Sequence, residues 1–142
     1  MPLPENRKHF EDLIKRWIVL EESTIDASND LIGSTRNPMV KTIIDLLKSD
    51  SEKHKRVLEA IRLSLNSTVT FTTDDMKVVD TFIEKHVNLE KNAVETAQQA
   101  LDMSSLPIPR LLLSHLLQDE KSHDAYVSEL NDLKRYMAAD TD

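Results

Sequence analysis

The sequence predicts an all-α fold: four long helices, paired as two repeated helical hairpins that build a four-helix bundle. Three observations predict it. One glycine and five prolines are all that punctuate 142 residues. Helix formers (Leu, Lys, Glu, Ala and Met) dominate long unbroken stretches. The second half of the chain also reproduces the first at a fixed offset of 69 residues, with no gap. A chain of this length is read as one domain, 1–142, with room for a core that needs no covalent staples.

The first helix is expected over 5–32, ending at Gly33, since glycine suits a helix C-terminus. Pro38 then sits in the first turn of a second helix over 38–63, where a missing N–H costs nothing. The third helix is expected over 74–103, opened by threonine as a cap and by acids in the first turn. "SSLPIP" breaks it, and a fourth helix follows over 108–137, with "AADTD" as a frayed tail. The link between the second and third helices differs from the others. In "NSTVTFTT", residues 66–73, β-branched or aromatic residues alternate with polar ones, which is an extended pattern.

Charge and composition exclude several function classes. With 25 acidic and 18 basic residues the formal charge is −7, and no basic stripe exists to neutralise phosphates, so nucleic acid is a poor partner. There is no cysteine, which removes disulfides, zinc ribbons, iron–sulfur clusters and thiol chemistry. "MPLPENRKHF" has no apolar signal core, and no segment reaches the ~20 apolar residues of a membrane span. The expectation is a cytoplasmic protein with no membrane partner.

The repeat carries the chemistry. At the offset of 69, Glu21 falls on Glu90, Pro38 on Pro107, Asp50 on Asp119 and His54 on His123. Apolar positions match as well: Ile14 with Ile83, Leu20 with Leu89, Leu47 with Leu116, Ile61 with Leu130. Steps of three and four give each helix an inward stripe. In the first helix it is Phe10, Ile14, Trp17, Glu21, Thr24, Ser28 and Leu31. In the second it is Ile44, Leu47, Ser51, His54, Leu58, Ile61 and Leu65. The third has Val79, Ile83, His86, Glu90, Ala93, Ala97 and Ala100; the fourth has Leu113, Leu116, Glu120, His123, Val127, Leu130 and Met137. Every helix thus places a glutamate, a histidine or both among core positions. Carboxylates and imidazoles buried together repel, shift their pKa values or cost several kcal/mol each unless a cation joins them.

This constellation resembles the ferritin-like superfamily, and within it the rubrerythrin-type di-iron domain. The pattern there is one glutamate from each of two helices and an E-x-x-H from each of the other two. Glu21 and Glu90 match the single carboxylates, Glu120 and His123 match one E-x-x-H, and His54 matches the histidine of the other. The resemblance covers about Phe10 to Met137. It implies a metal centre held by Glu21, His54, Glu90, Glu120 and His123, with Glu120 bridging, the histidines terminal, and Glu21 and Glu90 terminal or shifting. By resemblance the metal is a pair of irons; by ligand type, manganese or zinc also suit the site. The implied activity is that of an oxidoreductase, a peroxidase or ferroxidase. With no cysteine, the chain carries no rubredoxin-like domain, so a redox cycle needs an external electron donor. A homodimer through helix faces fits this architecture.

The resemblance also implies an up-down-down-up topology, with an extended crossover at about 64–73 in place of the short turn of a simple up-down bundle. Such a crossover spans about 38 Å, and ten extended residues reach about 33–36 Å.

The sequence departs from the pattern at one ligand. Ser51 stands where the second E-x-x-H needs its glutamate, and its acidic neighbours Asp50 and Glu52 are each rotated by roughly 100°. The alternatives are an asymmetric pair of metals, one metal, or a degenerate bundle with no metal that serves as a structural or interaction module. His86, one turn before Glu90, is read as a hydrogen-bonded core histidine, with compensating ligand as the alternative. Glu22, His9 and His115 are read as residues outside the site.

Overall fold

A computed structural model of the chain describes residues 4–67 and 70–139. Among the described residues it is wholly helical: α1 (Pro4–Gly33), α2 (Pro38–Asn66), α3 (Thr73–Met103) and α4 (Pro107–Ala139). The chain divides into two compact units, Met1–Val69 and Thr70–Asp142. Each unit is one helical hairpin, α1 with α2 and α3 with α4, and their boundary falls where the second copy of the sequence repeat begins. Within the described residues no helix is long and apolar enough to cross a membrane.

The helix ends follow from local hydrogen bonding. Asn37 caps α2, its side-chain oxygen accepting from the N–H groups of Met39 (2.9 Å) and Val40 (3.4 Å), and Pro38 follows where no donor is needed. The cap of α3 is Thr72, one residue earlier than expected. It forms a reciprocal box with Asp75, each side chain accepting from the other's backbone N–H at 3.0 and 2.9 Å. These contacts hold the Asp75 carboxyl below its ordinary pKa, the Thr72 backbone N–H first and its hydroxyl second.

Two ends differ from the sequence reading. Gly33 closes α1 without a positive φ; the turn is closed instead by Ser34, whose N–H and hydroxyl both donate to the Leu31 carbonyl at 3.1 and 2.8 Å. α2 runs three residues past Leu63, to Asn66. Its last carbonyls are satisfied by side chains that bend back: Ser64 onto Ile61 (2.6 Å), Asn66 onto Arg62 (3.0 Å) and Ser67 onto Leu63 (2.8 Å). Arg7 of α1 donates to the Leu65 carbonyl as well. Residues of modest helix propensity thus stay helical because the acceptors freed at a helix terminus find donors. Six residues, Ser67–Thr72, remain between α2 and α3 rather than ten. Of the expected crossover, Thr68 and Val69 lie outside the described residues, and Ser67 and Thr72 have extended backbones.

Cores within the hairpins are narrow. In the first, Ile14 and Ile18 of α1 pack on Leu58 of α2, with Ile61 against them. In the second, Ile83 of α3 and Leu117 and Val127 of α4 are the buried apolar residues. Several stripe residues remain about half exposed, among them Trp17 at 51 % and Leu47 at 60 %. Ile18 and Leu117, outside the stripe, are buried instead. Met137 belongs to the residues whose side chains are not described, and Asp140–Asp142 of the tail lie outside the described residues.

The two kinds of stabilisation separate by magnitude. Leu58→Ala empties the best-buried site of the first hairpin, 3 % exposed, and is expected to cost about 3 kcal/mol. Asn37→Ala removes a cap and is expected to cost about 1 kcal/mol. Urea unfolding of the two variants checks this; equal losses would contradict the assigned core.

Candidate functional site

In each hairpin a glutamate on the first helix faces a histidine 33 residues later on the second. The antiparallel pairing of two long helices sets that spacing, and both copies keep it. In the first hairpin Glu21 projects from α1 and His54 from α2, with His54 Nδ1 3.3 Å from Glu21 Oε1. In the second, Glu90 projects from α3 and His123 from α4, with His123 Nδ1 3.7 Å from Glu90 Oε2. The glutamates are mostly buried, 13 % and 17 % exposed, while the histidines are about half exposed.

Beyond this shared frame the copies differ. In the first hairpin the Trp17 indole N–H donates to Glu21 Oε1 at 3.0 Å, and Ser51 of α2 is buried. Burial pushes the Glu21 carboxyl upward, but the hydrogen bonds from Ser51, Trp17 and His54, with the His54 charge, outweigh it. The net pKa lies below the ordinary glutamate value. Asp50 and Glu52 do not stand in for the missing ligand in this hairpin; they pair with Lys53 (3.9 Å) and Lys48 (3.7 Å).

In the second hairpin Glu120 takes the place that Ser51 has in the first, and adds a second carboxylate. Glu120 Oε2 lies 3.9 Å from His123 Nδ1, and one ligand atom from each of Glu90, Glu120 and His123 lies within 4.8 Å of the other two. Glu90 Oε2 is buried and has no hydrogen-bond partner. Its 3.7 Å separation from His123 is too long for a hydrogen bond. Two donors each ~2.1 Å from one shared ion can lie up to about 4.2 Å apart. The His123–glutamate distances therefore suit a cation between the groups better than a direct bond. Burial raises the Glu120 pKa most, a hydrogen bond shared with the Glu90 carboxyl and the Glu90 charge raise it further, His123 offsets this in part, and Asp119 adds a smaller push upward.

Of the five residues read as ligands, the structure brings Glu90, Glu120 and His123 together in one hairpin and Glu21 with His54 in the other. His86 does not join the group. Its Nδ1–H donates to the Phe82 carbonyl at 2.8 Å, and its ring stacks on Phe82 with centroids 4.1 Å apart. Glu22 pairs with Lys55 (3.6 Å), His115 with Asp119 (3.3 Å), and His9 is exposed. Trp17 is the functional residue that sequence reasoning missed. Its signal was present, because residues 17 and 21 are i, i+4 neighbours on one helix face. Comparison with protein-family profiles, curated proteins and solved structures finds no match to this chain.

Opposite pKa displacements give opposite pH dependences. The lowered Glu21 pKa contributes stability that is present above the ordinary glutamate range and lost as pH falls through the folded value. The raised Glu120 pKa does the reverse: the folded state holds its proton longer, so stability falls as pH rises from the ordinary range through the raised value. In chelator at pH 7, Glu21→Gln is expected to destabilise the protein by about 1 kcal/mol, and Glu120→Gln to leave it unchanged or more stable. At pH 4 both differences should shrink. Thermal unfolding at the two pH values tests this, and a shift of the same sign for both variants at pH 7 would refute it.

Proposed function

We propose that the chain is a metal-binding helical protein of the ferritin-like, rubrerythrin-like kind. Glu90, Glu120 and His123 are its best-supported ligands, and Glu21 and His54 complete the set if a second ion binds. The observation that carries the reading is the buried, partnerless Glu90 Oε2 beside a second carboxylate and an imidazole. Two carboxylates at such range repel, and neither a lysine nor an arginine is paired with either of them among the described residues. A divalent cation relieves both the repulsion and the missing partner.

The donor set is two carboxylate oxygens and one imidazole nitrogen, which suits iron, manganese or zinc. Bound iron would supply electron exchange with oxygen or peroxide, fed by an external donor. The chain's own residues do the rest. Glu90 and Glu120 set the charge at the site. His123 presents Nδ1 inward and leaves its other ring nitrogen on the half-exposed side. Three protein ligands leave coordination positions for water or an oxidant.

A second reading has its own observation. In the first hairpin, Glu21 accepts from the Trp17 indole and faces the His54 imidazole, which meets its charge without any metal, as a degenerate bundle with a structural or interaction role requires. Thermal unfolding separates the two readings. With free Mn²⁺ at a hundred times its Kd, a metal protein gains about 2.7 kcal/mol, and a chelator reverses the gain. Glu90→Gln combined with His123→Ala should abolish the response. Identical unfolding in metal and in chelator would end the metal reading.

A further inference from the structure

The two hairpins can be compared position by position at the offset of 69. Glu21 corresponds to Glu90 and His54 to His123, so each copy keeps its facing pair. The other two positions have diverged. Ser51 corresponds to Glu120, so a hydroxyl donor stands where the second hairpin has another acceptor. Trp17 corresponds to His86. Trp17 gives its N–H to Glu21 at 3.0 Å, whereas His86 turns its Nδ1–H back to the Phe82 carbonyl at 2.8 Å and gives nothing to Glu90. Both changes act in one direction. The Glu21 carboxylate accepts from Trp17 and faces His54 Nδ1, while Glu90 Oε2 has no partner and lies beside Glu120.

We infer that the protein binds one divalent cation per chain, at Glu90, Glu120 and His123, and that the first hairpin is closed to metal because Trp17, a positioning residue, ties up the Glu21 carboxylate and Ser51 withholds a second one. This rests on the metal-binding reading above and fixes its stoichiometry. The chemistry is direct. Glu21 Oε1 already accepts from the indole and faces the imidazole Nδ1, so a cation there would displace two donors and then find one carboxylate instead of two. In the second hairpin a cation displaces no hydrogen bond at Glu90 Oε2 and meets two carboxylates and an imidazole.

Equilibrium binding of Mn²⁺ to the full chain, counted by electron paramagnetic resonance of the free ion, tests this. Wild type is expected to bind one ion. Glu21→Gln should also bind one, at an affinity within about threefold of wild type, and Glu90→Gln should lose at least tenfold in affinity. Ser51→Glu combined with Trp17→Phe restores the second carboxylate and removes the competing donor, and is expected to bind two ions. Circular dichroism confirms that each variant is folded. Because Trp17 is the single tryptophan, its emission gives a second readout: binding of Mn²⁺ to wild type should leave the Trp17–Glu21 contact, and hence the emission maximum, in place. Two ions bound by wild type, or a tenfold loss in Glu21→Gln, would overturn the inference and leave the metal reading standing. No binding at all would overturn the metal reading itself, and the inference with it.

Discussion

A carboxylate set between two packed helices needs a donor or a cation, and every feature of the candidate site turns on that need. Both hairpins bury a glutamate at the same level, opposite a histidine, and meet the need differently. One supplies an indole N–H beside the imidazole. The other supplies a second carboxylate, which deepens the problem unless a cation is present. The opposite displacements of the Glu21 and Glu120 pKa values express this difference in proton affinity. A charge already satisfied by protein donors gains little from a metal, and a charge left unsatisfied gains much.

Six apolar side chains are buried among the described residues, three in each hairpin. The stripe residues that bracket the site, Trp17 and Leu47 among them, keep about half their surface. Caps set the ends of the helices that present these groups. Asn37, Thr72 with Asp75, and Arg110, which donates to the Leu101 and Ser104 carbonyls, fix where each helix begins or ends. Those points in turn fix which residues face one another across a hairpin.

The four helices, their pairing and the glutamate–histidine registers were legible because they depend on periodicity and on an offset that spans the whole chain. The cap at Asn37–Pro38 is equally local, and was legible in part through its proline. The rest depends on where side chains turn. Nothing in composition says that Ser64, Asn66 and Ser67 bend back to prolong α2, or that Ser34 closes α1 so that Gly33 needs no left-handed backbone. The stripe predicted Ser51 and Leu58 as buried, but not Ile18 or Leu117, each of which sits one position beyond a stripe residue, Trp17 or Leu116. At the site, sequence identified five ligand-type residues yet treated Ser51 only as a missing glutamate. In the structure Ser51 is one of the few buried polar residues.

His54 and His123 both turn Nδ1 toward their glutamates and are about half exposed. A ring that faces a carboxylate through Nδ1 leaves Nε2 free to bond water, and hydration beside a carboxylate lowers the cost of its charge. When the glutamate of the first copy is a serine, solvent and the Trp17 N–H can share the remaining charge, and the helices stay paired through Ile14, Ile18 and Leu58. In the second copy no such donor reaches Glu90 Oε2, so its charge is met less fully within the hairpin than that of Glu21, which accepts from Trp17.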